Sequence, residues 1–143
     1  MLVLENEIKK TLYFHAKNAY PEECCGILLG KREDGKRYAY KVIATENMSD
    51  EKRKGTHFRI SPLEVARIEM SAEREGLEMI GFYHSHPDYE ASASREDVLY
   101  MLAGYSYPII SINDAACQMA CFEKSSQAGA EVKEEKIMIQ GEI

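Results

Sequence analysis

The sequence predicts an α/β or α+β protein: one mixed β-sheet with helices packed against it. Three observations carry this. Segments with helical spacing and strand-like apolar runs interleave irregularly along the chain, which is the pattern of a mixed sheet with covering helices. A length of 143 residues is enough for one domain with a real core, and a hydrophobic content of 45% argues against disorder. No internal repeat, linker or low-complexity stretch divides the chain, so residues 1–143 read as a single domain.

The elements follow in order. Leu2 to Leu4 is a short strand, and Glu5 to Ala19 a helix whose Ile8, Leu12, His15, Ala16 and Ala19 share one face. His15 on that face reads as a core or half-buried histidine, not a ligand. Tyr20-Pro21 breaks the helix. Cys24 to Leu29 is a continuous apolar run closed by Gly30, as in a strand buried on both faces. Glu33-Asp34-Gly35-Lys36 is turn chemistry, and Arg37 to Thr45 alternates as the hairpin partner. The polar stretch Glu46 to Gly55 is expected to be a mobile loop, and Thr56 to Ile60 a short strand.

Ser61 is an N-cap with Pro62 at the first helical position, opening a helix that runs to about Glu75 and stops at Gly76. Leu77 to His84 is a strong strand and Asp88 to Ala93 a loop. Ser94 opens a third helix that ends near Gly104. Pro108 to Ile112 is a strand, Asn113-Asp114 a turn and Ala116 to Lys124 a strand. Ser125 to Gly129 is a loop, and Glu131 to Gln140 a last strand.

A formal net charge of −6 argues against nucleic acid as a partner, because phosphate binding needs a basic surface. The basic run Lys52-Arg53-Lys54 stands beside Asp50 and Glu51 and reads as a solvated loop. No apolar run approaches the roughly 18 residues that span a bilayer. Met1 to Lys10 carries Glu5 and Glu7 and has no signal-peptide apolar region, so the expected location is cytoplasmic. The four cysteines form no C-x-x-C pair, and without a signal peptide they read as buried small hydrophobes.

The chemistry concentrates in His84-Ser85-His86-Pro87, followed by Ser94 and Asp97. Residues two apart in a strand face the same way, so His84 and His86 can reach one point. Asp97 returns after the loop as a possible third ligand. Two imidazoles and a carboxylate, with a fourth position left to water, is the ligand count of a catalytic zinc site. Each piece has an ordinary alternative: Ser94-x-x-Asp97 is also a capping box with Asp in place of Glu, and His84 and His86 could be sheet residues with satisfied hydrogen bonds. The joint pattern weighs against those alternatives.

The segment His84-Ser85-His86-Pro87 with Ser94-x-x-Asp97 resembles the JAMM (MPN+) metalloprotease family, in particular its short bacterial members. Tyr20 to Gly30, Phe58-Arg59-Ile60-Ser61-Pro62 and Gly104 through Ser111 resemble other segments of that family. The resemblance implies a single JAMM/MPN domain of cytidine-deaminase-like architecture. It implies that His84, His86 and Asp97 bind one Zn²⁺, that Glu23 is the general base and that Ser94 helps hold the developing oxyanion. Glu22 takes the place of Glu23 if the register slips by one residue. The implied reaction is hydrolysis by a metal-activated water. The implied substrate is a ubiquitin-like sulfur-carrier protein, cut after its C-terminal Gly-Gly, with the loops Glu46 to Gly55 and Asp88 to Ala93 as rims of the groove. A general deubiquitinase or isopeptidase and a non-catalytic scaffold of the same fold are the alternatives. Ala93 stands where that family often has proline.

Overall fold

The structure is a computed structural model that describes residues 1–114, 116–125 and 131–141, with Glu51 described by its backbone alone. Strands β1 (Leu2–Glu5), β2 (Cys25–Glu33), β3 (Lys36–Thr45), β4 (Glu78–Pro87), β5 (Tyr107–Ile112), β6 (Cys117–Lys124), β7 (Val132–Glu135) and β8 (Ile137–Gln140) form one sheet. Its order is β7-β6-β5-β4-β2-β3-β1-β8. The helices are α1 (Asn6–Ala19), α2 (Pro62–Arg74) and α3 (Arg95–Tyr100). The pairs β1–β3, β1–β8 and β4–β5 are parallel and the others antiparallel, so the sheet is mixed as the sequence predicts.

Strand β2 lies at the centre and shows why its apolar run is unbroken. Leu28 points to the face covered by α1, where it packs with Leu12, Ala16, Leu2 and Leu4. Ile27 and Leu29 point to the other face, where Val65, Ile68 and Ala72 of α2 meet them. A strand covered on both sides needs apolar residues at both parities. The β2–β3 turn is built as its composition requires: Asp34 and Gly35 both have positive φ, 52° and 74°, as in the primed hairpin turns.

The decisive irregularity is in β4. Leu28 pairs with Gly81 but Leu29 pairs with Met79, so Ile80 is an extra residue in the ladder. A bulge reverses the side-chain parity beyond it. Ile80 and Tyr83 therefore both face α1, while Phe82 packs with the α2 cluster. His84 and His86 follow Phe82 by two and four residues and share its face. Gly81 is fixed by the neighbouring chain, because a Cβ there would overlap the carbonyl oxygen of Ser106.

Several expected elements differ. Glu131 to Gln140 is not one strand: it divides at Lys136 into β7 and β8, which pair with β6 and β1 at opposite ends of the strand order. One linking residue spans at most about 7 Å between its neighbours. The two ends of the sheet therefore meet, and the sheet curls around α1. Thr56 to Ile60 joins no ladder; the carbonyl of Arg59 accepts from Met48 N–H, and its N–H donates to the Asn47 side chain. Glu46 to Gly55 is not a free loop, since it contains a short 3-10 turn, Glu51–Arg53, and is tied to β2 as described below. Helix α3 stops at Tyr100 instead of running to Gly104, because Met101 turns extended and buries its side chain while Leu102 N–H goes to the Tyr107 hydroxyl. Of the expected loop Ser125 to Gly129, residues 126–129 lie outside the described residues. Among the described residues, no helix is long and apolar enough to cross a membrane.

Candidate active site

The C-terminal end of β4, the head of β2 and the first turn of α3 converge on one buried point. His84 and His86 are 2% and 1% exposed, and their Nε2 atoms lie 3.0 Å apart. Asp97 Oδ2 is 3.2 Å from each of them. Glu23, 3% exposed, sits at the head of β2 and offers a carboxyl oxygen within 4.8 Å of both imidazole ligand atoms. Its neighbour Glu22 is exposed.

Local structure places each of these groups. Glu23 donates its backbone N–H to Lys54 O at 2.6 Å, and its carbonyl accepts from Asn47 Nδ2 at 3.1 Å. Asn47 also donates to His57 O and accepts from the N–H groups of Ser49 and Arg59, so one side chain binds the 46–60 segment to the site. Phe58, carried on that segment, stacks on His84 with ring centroids 4.3 Å apart. Asp97 is set by a capping box: Ser94 Oγ accepts from Asp97 N–H at 3.1 Å while Asp97 Oδ2 accepts from Ser94 N–H at 2.9 Å. The capping reading of Ser94-x-x-Asp97 is therefore realised, and the same Oδ2 that caps the helix lies beside both imidazoles. The first-turn position also suits a carboxylate through the helix dipole.

The electrostatics are those of a place for a cation. His86 Nδ1 lies 2.8 Å from Glu90 O, and a carbonyl only accepts, so the proton of neutral His86 is on Nδ1. Its Nε2 then presents a lone pair to His84 and to Asp97, an arrangement that a positive ion relieves. Four ligand atoms at about 2.0–2.1 Å from a tetrahedral zinc lie about 3.3 Å from one another. The observed separations of 3.0, 3.2 and 3.2 Å fit that edge length. Burial lowers the His84 pKa, which keeps its imidazole neutral and able to ligate. Burial acts to raise the Asp97 pKa, yet the hydrogen bonds from His84 and from the Ser94 N–H outweigh it and hold the carboxyl well below the usual carboxylate range.

Glu23 goes the other way. Burial pushes its carboxyl up to about 7, against the hydrogen bond from Tyr89 and the nearby His86 imidazole, which pull it down. A carboxylate poised near neutrality is suited to taking and returning a proton. Tyr89 is a residue that sequence reasoning did not single out, although it lies in the loop assigned to the rim. Its hydroxyl donates to Glu23 Oε2 at 2.6 Å, and its ring stacks on His86 at 4.1 Å. Cys24 and Cys25, next to Glu23, are buried, and burial pushes their thiols up to about 12 and about 11, away from the thiolate form that a nucleophile needs.

A family model described as prokaryotic homologs of the JAB domain matches residues 5–122. The chain belongs to that family. Among curated relatives, the CysO-cysteine peptidases of Mycobacterium tuberculosis and Mycobacterium bovis are 29% identical over 98 residues. Those alignments span 68% of this chain and 64% of the relatives' length. Among solved structures, the solution structure of a Desulfitobacterium hafniense protein is similar at a TM-score of 0.85 and 29% identity, covering 100% of this chain and 95% of that one. A Salinibacter ruber protein gives a TM-score of 0.72 at 28% identity, over 96% and 91% of the two chains.

Proposed function

We propose that this chain is a zinc-dependent peptidase that hydrolyses the bond after the C-terminal Gly-Gly of a ubiquitin-like sulfur-carrier protein. The observation that carries the reading is the convergence of His84 Nε2, His86 Nε2 and Asp97 Oδ2 at 3.0–3.2 Å beside the buried Glu23. Membership of the JAB family and the likeness to peptidases named for a CysO-cysteine conjugate support the substrate class.

His84, His86 and Asp97 would hold the metal, with Glu23 left outside the ligand set. Zinc, when bound, supplies a Lewis acid that lowers the pKa of a water toward ~7 and polarises the scissile carbonyl. The Glu90 carbonyl fixes His86 in the ligating tautomer, and the Ser94 N–H shares the Asp97 carboxylate and orients it. Glu23 accepts the proton of the attacking water and delivers it to the leaving amine. Ser94 accepts the Asp97 N–H on an oxygen lone pair, which leaves its own O–H to donate to the developing oxyanion. Such a donor is typically worth about 2.7–4 kcal/mol. Phe58 over His84 keeps water off that imidazole. A Gly-Gly tail suits the site because it lets the substrate backbone approach closely.

The test is mass spectrometry of a sulfur-carrier protein extended by residues after Gly-Gly, incubated with the protein with and without chelator. Loss of the extension that chelator abolishes supports the reading. Glu23→Gln is expected to bind one zinc per chain and to lose turnover. An E23Q protein with full activity would move the base elsewhere, and an intact carrier beside zinc-loaded protein would overturn the substrate class.

A further inference from the structure

The backbone of Glu23 is fixed on both sides, by Lys54 O and by Asn47 Nδ2. That leaves its carboxylate free to turn about the side-chain torsions, and a base works only when its oxygen faces the proton it takes. The contact that sets the orientation comes from the loop after β4. Tyr89 O–H to Glu23 Oε2, at 2.6 Å, has the length of a charge-assisted hydrogen bond. The tyrosine ring lies nearly parallel to His86, 13° between planes, so the same side chain reaches both the base and a metal-binding imidazole.

The loop is built to hold Tyr89 there. Asp88 has φ of +64°, and the Tyr20 hydroxyl donates to its two carboxyl oxygens at 2.8 and 2.7 Å. Ser111 Oγ donates to the Tyr89 carbonyl at 2.8 Å. The next residue, Glu90, gives its carbonyl to His86. Three successive residues are thus each anchored to a different part of the fold. Tyr89 itself is 37% exposed, so filling the core does not account for it.

We propose that Tyr89 is a positioning residue: its hydroxyl holds Oε2 of Glu23 and leaves Oε1 to face the attacking water, and its ring against His86 fixes where the hydroxyl stands. This rests on Glu23 acting as the base. Tyr89→Phe removes the hydroxyl and keeps the stacked ring. In the zinc-loaded protein Y89F is expected to lower kcat about tenfold with KM and zinc stoichiometry unchanged. In the metal-free protein, Y89F should lower the urea unfolding midpoint when Glu23 is present and cause no further shift in a Glu23→Ala background.

Wild-type kcat in Y89F would overturn the proposal. So would additive midpoint shifts, because the hydroxyl would then act through something other than Glu23. A kcat loss accompanied by zinc loss would also overturn it, by making the tyrosine a support of the metal site. Failure of the wild type to cut the carrier would overturn the proposed function separately, since the unfolding cycle reads the Tyr89–Glu23 contact without substrate.

Discussion

Ser85 and Cys24 exchange two hydrogen bonds: Ser85 N–H donates to Cys24 O at 3.0 Å, and Cys24 N–H donates to Ser85 Oγ at 2.7 Å. The serine between the two histidines thus faces away from them and clips β4 to the residue that follows Glu23. Both residues are buried, so no water can take the place of Ser85 Oγ as acceptor for the Cys24 N–H. Ser85→Ala leaves the Cys24 N–H without its acceptor, at a cost of about 1–3 kcal/mol. We expect S85A to unfold at correspondingly lower urea, to keep its zinc, and to lose kcat because Glu23 is no longer held in register with His84 and His86. Unchanged kcat in S85A would show that the clip serves stability alone.

Asp97 has two roles in the structure, as partner of both histidines and as acceptor for the Ser94 N–H. Asparagine separates them. Asp97→Asn keeps a side-chain oxygen for the cap and removes the charge. We expect α3 and the unfolding midpoint of the metal-free protein to be nearly unchanged, while zinc affinity falls by more than the roughly 10–100-fold that loss of an outer partner costs. Equilibrium dialysis against a zinc indicator reads this directly. One tightly bound zinc per D97N chain would return Asp97 to capping alone.

The sequence showed the parts of this site that depend on local periodicity. His84 and His86 share a face because strands alternate, and Asp97 follows Ser94 at the spacing of an N-cap. It did not show which face of the sheet receives the histidines, because that depends on the single extra residue Ile80, and a bulge leaves no mark in an alternating pattern. Lys136 was unreadable for a different reason: the charged run Lys133 to Lys136 contains no Gly, Pro, Asn or Asp to mark the point where the ladder partner changes from β6 to β1. Thr56 to Ile60 has the residues of a strand, but its backbone hydrogen bonds go to Arg53, Asn47 and Met48. Tyr89 is one aromatic in a polar loop, and its partner Glu23 is 66 residues away in sequence.

His15 carries a pH dependence that can be worked out in sign. It lies on the inner face of α1 with Nδ1 2.7 Å from the Tyr83 hydroxyl, the two rings meeting edge-on. Burial lowers its pKa from 6.5. The unfolded chain therefore takes up the proton at a higher pH than the folded one does. Between those two pKa values the unfolded state holds more protons, so stability rises with pH. The contribution is fully present above about 6.5 and is lost as pH falls through the lowered folded value. His15→Gln has no such titration. We expect the stability difference between wild type and H15Q, from urea unfolding in chelator, to be constant from pH 7 to 8 and to shift against the wild type as pH is brought down through 6 to 5. Working in chelator removes metal uptake from the comparison, and acid effects of Asp97 cancel because both proteins carry it. A difference that stays flat across the whole range would mean that folding does not hold His15 in its neutral form.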